Sequence, residues 1–149
     1  MSLDDHLRSP AAPWILAGLA LLIFSVGYGL RDPWPADEPR FALVAKEMVE
    51  SGQWFFPRRA GELYSDKPPL FFWALAAGYA VTGSVRWSFL LPSLLAGLGT
   101  LFLVYDLARR LWNRRVALFA GWTLLLVIQF PLQVRTAQID ASVTFFVTL

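Results

Sequence analysis

Cysteine is absent from the 149 residues, and histidine occurs once. The first absence excludes disulfides and thiolate metal sites. The single His6 lies in a short polar segment and reads as a solvated side chain. Charge is scarce as well: Asp, Glu, Lys and Arg make up 16% of the chain, against about 25% in an ordinary soluble domain. The net charge of +2 implies no nucleic-acid partner. Hydrophobic residues fill the gap at 56%, with a mean hydropathy of +0.49. This composition is that of an all-α integral membrane protein.

The few charges are clustered. Between Asp37 and Lys67 lie Asp37, Glu38, Glu47, Glu50, Glu62 and Asp66 together with Arg40, Lys46, Arg58, Arg59 and Lys67. Each charge at the centre of a bilayer costs roughly 2.5–3.5 kcal/mol even on a lenient scale. The segment is therefore a water-facing loop hung between apolar runs. Within it Phe41, Val44, Ala45, Met48 and Val49 form one helical stripe. Pro39 suits a first helical turn, Asp37 precedes it at a capping position, and Gly52 suits the stop. A surface helix is expected over 38–51, with irregular or short extended chain over 53–64.

The apolar run 13–30 is long enough to span. Acids in the flank ahead of it, and the lack of a small-x-small site after it, argue against a cleaved signal peptide. The run 68–83 has only about 14 usable residues, which favours an interfacial helix over 68–82 to a span. Charge supports this independently. Arg109, Arg110, Arg114 and Arg115 sit in a short loop and belong in the cytoplasm. They arrive there when 68–82 lies in the interface, 87–108 runs inward and 116–134 returns outward. The external loop is then 31–86, the cytoplasmic loop 109–115, the second external loop 135–140, and a further span starts at 141–149. Nine residues reach only about 13 Å, so the sequence is expected to be the N-terminal portion of a longer chain.

Each charged candidate has two readings at this level. Arg58, Arg59 and Lys67 suit a phosphate or anchor the loop to anionic membrane lipids. Asp37 is a general base for an acceptor hydroxyl or a helix cap. Asp66 is a divalent metal ligand or the partner of a neighbouring cation. Asp140, where the chain re-enters the membrane, is a functional acid or another cap. The Trp and Tyr residues, Tyr64 among them, fit an interfacial belt.

An ordered set of motifs bears on these readings. It comprises DEPR from Asp37, G-x-W followed by P-R over 52–58, G-x-x-Y over 61–64, DKPPL over 66–70, LPS over 91–93, LARRLWNRR over 107–115 and IDASVTFF over 139–146. The set resembles glycosyltransferase family 39, the polyprenyl-phosphate-sugar transferases that include lipid A aminoarabinose transferases and protein O-mannosyltransferases. The resemblance covers about residues 30–149. It implies a multi-span GT-C fold, of which this is the N-terminal portion, in a bacterial inner membrane with the active site on the non-cytoplasmic, periplasmic face. It implies Asp37 as catalytic base and Asp140 as a second catalytic acid. Arg58 and Lys67 match contacts to the donor phosphate. Arg59, Tyr64, Glu38 and Arg40 join them as substrate-binding candidates. Asp66 stands where lipid A transferases have a glutamate, which carries over a divalent metal as a possible cofactor. Lys67, where protein mannosyltransferases tend to have histidine, leans toward the lipid A branch. The implied reaction is inverting transfer of a sugar from a polyprenyl-phosphate donor to an acceptor hydroxyl or lipid A phosphate. The alternatives are transfer to protein Ser/Thr, or a non-enzymatic transport or structural module in which the loop is a lid.

The membrane disposition has a direct test, because no native cysteine interferes. Single cysteines at Ser65 and Gln138 should react with an impermeant thiol reagent applied from outside, and one at Asn113 should not. A reactive Asn113 site, or silent Ser65 and Gln138 sites, overturns the topology.

Overall fold

The computed structural model describes residues 9–34 and 37–149. His6 and Arg8 of the polar leader, and Pro35 and Ala36 in the break before the surface helix, lie outside the described residues. The rest is helical apart from one small hairpin. The elements are α1 (Ala12–Ser25), α2 (Asp37–Ser51), β1 (Arg58–Arg59), β2 (Glu62–Leu63), α3 (Pro69–Thr82), α4 (Val85–Ser88), α5 (Leu91–Leu111), α6 (Arg114–Leu126), α7 (Gln129–Val134) and α8 (Ile139–Thr148).

These elements build two cores. The first is a helical bundle in which Leu16, Ala20 and Phe24 of α1 meet Leu101 of α5, Leu118 and Leu125 of α6 and Val134 of α7. The spacing of the α1 residues is one face of a helix. The second core belongs to the charged loop. There Phe41, Val44, Ala45 and Met48 of α2 pack on Phe71, Phe72 and Leu75 of α3, with Tyr64, Phe89, Leu90 and Ala137. Its centre is aromatic: Phe41 stands edge-on to Phe71 at 5.6 Å and Tyr64 edge-on to Phe72 at 5.6 Å, geometries that suit ring quadrupoles. The apolar stripe read from 41–49 is the buried face of α2.

Two elements differ from the sequence expectation, each for a local reason, and the short extended chain expected over 53–64 takes a defined form. The first apolar run is helical over only 14 residues, about 21 Å at 1.5 Å per residue. Gly27 and Gly29 then turn through positive φ of 82° and 72°, a conformation open to glycine. The run 116–134 is two helices, α6 and α7. Pro131 has no N–H to give Val127, and its ring crowds that carbonyl four residues back. Val127 accordingly leaves the helix at φ −69°, ψ 102°. The stretch 53–64 contains a two-stranded antiparallel ribbon pairing Arg58 with Leu63 and Arg59 with Glu62. Its turn puts Ala60 and Gly61 at φ 52° and 83°, the double positive φ of a tight hairpin. The Glu47 carboxylate holds Ala60 there by accepting its N–H at 2.7 Å.

Among the described residues, the segment Val85–Leu111 is long and apolar enough to cross a membrane. It contains α5, around which the bundle closes. At Gly97 a Cβ would lie 2.4 Å from Cγ2 of Val134, and at Gly99 2.6 Å from the Phe145 ring. The absence of side chains at these two glycines lets α7 and α8 come close to α5, and so places the turn between them.

Gly97→Ala is therefore expected to cost about 1–3 kcal/mol by overpacking, read as a lowered thermal midpoint of the detergent-solubilised protein. Adding Val134→Ala should return part of that loss. Additive losses in the double variant would show that the two residues do not share this space.

Candidate functional site

Buried carboxylates are rare unless they are paired and hydrogen-bonded. Glu38, in the first turn of α2, is 3% exposed. The guanidinium of Arg31 donates to it through both terminal nitrogens, Nη1 to Oε2 at 2.6 Å and Nη2 to Oε1 at 2.9 Å. The Trp34 amide donates to Oε2 at 2.7 Å. The Ala137 amide, 99 residues away in sequence, donates to Oε1 at 2.7 Å. Arg31 is in turn packed between the rings of Trp34 and Phe89, at 4.9 and 5.1 Å, and Nη2 also donates to the Arg135 carbonyl at 2.7 Å. Burial pushes the Glu38 pKa up. The bonds from Arg31, Trp34 and Ala137, with the Arg31 charge, outweigh burial and hold it below the ordinary carboxylate value.

Glu38, a substrate-binding candidate by resemblance, has its oxygens taken up inside the protein by a fork of two N–H groups and two backbone amides. Arg31 carried no site signal in the sequence, because its partner is defined only once the chain turns back at residue 31. Nor did Ala137, whose contribution is a backbone N–H.

The remaining candidates fall into three groups. Asp37 opens α2 with its side chain half exposed, and its Oδ1 lies 3.6 Å from Nη1 of Arg40. Among the described residues, the hydroxyl of buried Tyr64 and Nε of Arg40 have no hydrogen-bond partner. Tyr64 is the largest influence raising the Arg40 pKa, and the charges of Asp37 and Asp66 raise it further. Asp37, Arg40, Tyr64 and Asp66 thus form one electrostatic neighbourhood. Among the described residues no group of three His, Cys, Asp or Glu side chains surrounds Asp66 in a way that could hold a metal.

Arg58 and Arg59 are exposed on β1. Arg58 Nη1 donates to the Gly61 carbonyl at 2.9 Å, so its guanidinium lies along the hairpin turn. Lys67 is exposed immediately before α3. Asp140 is exposed in the first turn of α8. It lines a cavity of about 420 Å³ with Gln129, Phe130, Gln133 and Thr144, between α7 and α8. The Glu38–Ala137 bond joins the chain segments of the two acids: Asp37 adjoins Glu38, and Asp140 follows Ala137 by three residues.

Comparison with known proteins agrees with this architecture. Residues 66–149 match the model of the dolichyl-phosphate-mannose-protein mannosyltransferase family. The chain is 33% identical over 138 residues to undecaprenyl phosphate-alpha-4-amino-4-deoxy-L-arabinose arabinosyl transferase 2 of Pseudomonas fluorescens, covering 91% of this chain and 25% of that protein. It is 34% identical over 139 residues to the corresponding transferase of Pseudomonas aeruginosa, covering 91% and 24%. The crystal structure of ArnT from Cupriavidus metallidurans bound to undecaprenyl phosphate superimposes with a TM-score of 0.86 at 27% identity, covering 94% of this chain and 26% of that one. The chain spans about a quarter of the length of the curated relatives it matches.

The ionised state of Glu38 gives a signed prediction. A carboxylate with a lowered folded pKa contributes stability that is fully present above its unfolded value of about 4.3. That contribution is lost as the pH falls through the lower folded value. At neutral pH Glu38→Gln should cost up to about 3 kcal/mol, since it leaves Arg31 buried without its counter-charge. The gap in thermal midpoint between wild type and Glu38→Gln should close as the pH falls below about 4. A gap that stays constant to pH 3 would exclude an ionised Glu38 as its source.

Proposed function

The chain belongs to the dolichyl-phosphate-mannose-protein mannosyltransferase family, and from that premise we propose that it works in transfer of a sugar from a polyprenyl-phosphate donor to an acceptor at the non-cytoplasmic face of the membrane. The observation that carries this reading is the Ala137 N–H bond to Glu38 at 2.7 Å. It draws together the two membrane-external segments that hold the candidate acids, Asp37 and Asp140. The likeness to a transferase crystallised with undecaprenyl phosphate supports the donor class.

The chemistry follows from charge. An acceptor oxygen attacks the anomeric carbon, the bond from that carbon to the phosphate oxygen breaks, and polyprenyl phosphate leaves with the electron pair. The charge on the leaving phosphate rises as the bond breaks, so cations fixed nearby stabilise the transition state more than the ground state. Arg58, Arg59 and Lys67 are the exposed cations of the loop that fit this role. Asp37, held beside Arg40, accepts the proton of an acceptor hydroxyl. Asp140, on the rim of its cavity, orients the acceptor or the sugar.

The acceptor divides two versions of this reading. The relatives named above are arabinosyl transferases, which favours a lipid acceptor such as lipid A. The family model is named for transfer to protein, which favours Ser or Thr hydroxyls. The same experiment separates them. In the native host, intact masses of lipid A and of envelope proteins are compared between wild type and Asp37→Asn. Loss of a sugar-sized mass from lipid A identifies the lipid acceptor, and loss from proteins identifies O-glycosylation. No loss from either, with the variant inserted at wild-type level, overturns Asp37 as the base.

A further inference from the structure

Glu38 gathers donors from two separated parts of the chain: the Arg31 side chain and the Trp34 amide in the connection between α1 and α2, and the Ala137 amide between α7 and α8. An apolar residue of similar size would fill the same space without removing a carboxylate from water, and such replacements are often neutral or stabilising. What an apolar residue cannot supply is direction. Both Glu38 oxygens are committed to fixed N–H groups, so the rotation of the first turn of α2 is set. Successive residues stand about 100° apart around a helix. With Glu38 pinned inward, Asp37 is turned toward solvent, where its side chain is 50% exposed. On the other side, the Arg31 bond to the Arg135 carbonyl and the Glu38 bond to the Ala137 amide hold both ends of a three-residue turn. Asp140 lies in the first turn of α8, three residues beyond it.

We infer that Glu38, through Arg31 and the Ala137 amide, is a positioning residue that holds the Asp140 turn in register with the helix start carrying Asp37. It touches no substrate. Its effect is on the relative placement of two acids that the fold supplies from different loops. The inference rests on the transfer reading above and extends it to a residue outside the reacting shell.

The test uses the native full-length protein in membranes, with two readouts. Spin labels at Glu50 and Gln138 report the distance between α2 and the second external turn. Sugar transfer from a polyprenyl-phosphate donor is measured per correctly folded molecule. Glu38→Gln keeps the size but loses the charge. It should broaden the distance distribution and lower kcat on the order of tenfold to a hundredfold, the penalty of a displaced reacting group. The donor KM should stay within about threefold, since no donor contact is removed. Glu38→Asp, which retains the carboxylate, should recover part of both effects. If Glu38→Gln does not fold, Arg31→Lys, which replaces the two-pronged fork by a point charge, should shift both readouts the same way. An unchanged distance distribution, or a broadened one with wild-type kcat, overturns the inference. A wild-type protein that transfers no sugar refutes the transfer reading instead, and the distance measurement still decides whether the clamp exists.

Discussion

The structure depends on one buried ion pair. Arg31 and Glu38 lie seven residues apart, across the connection between α1 and α2. Removing two charges from water is expensive and is repaid only when the remaining donors and acceptors are satisfied. Here the carboxylate accepts four N–H groups, and the guanidinium is packed between two aromatic rings. The pair sits where the two cores meet. Phe89 and Ala137, which bound it, belong to the loop core, whereas Val134, three residues before Ala137, belongs to the bundle. Each core alone would leave the orientation of the other unspecified. The directional bonds of Glu38 specify it.

The bundle contributes by bringing residues 135–138 to the right place. Two features of opposite character do this. Pro131 ends α6 early, because it cannot serve as a hydrogen-bond donor within a continuing helix. Gly97 and Gly99 on α5 then let the side chains of Val134 on α7 and Phe145 on α8 pack directly on the α5 backbone. A break and a close approach together fold the chain back over α5, and the Ala137 amide is delivered to Glu38.

The charged segment 31–86 separates its charges by exposure. Glu38 is buried, Arg31 is partly buried, and the two satisfy each other. Arg58, Arg59 and Lys67 are exposed on the hairpin and ahead of α3, where a cation remains available to an anionic group. Asp37 stands between the two classes: half exposed, close to Arg40, and one residue from the buried pair. Such a division suits a site in which architecture must hold still while charge develops on a departing phosphate.

Much of this was legible in the sequence. Clustering of charge in an otherwise apolar chain marks the loop, because hydrocarbon excludes ions wherever the chain folds. The 3.6-residue stripe marks the buried face of α2, because periodicity is local. The ordered motifs mark the family, and with it Asp37, Asp140 and Lys67 as candidates. What only the tertiary structure decided are the features that rest on partners distant in sequence. Glu38 reads as one more loop acid until Arg31 folds back on it and the Ala137 amide arrives from 99 residues away. The hairpin turn at Ala60 is hidden because alanine disfavours positive φ, and a glutamate from α2 holds it there. The glycines of α5 are merely small until Val134 and Phe145 lie against them. Local patterns set which segments are helical and which face is apolar, since those depend on neighbours along the chain. The roles of buried charges and close contacts were set by the three-dimensional fold, since burial and partnership exist only between segments that have already met.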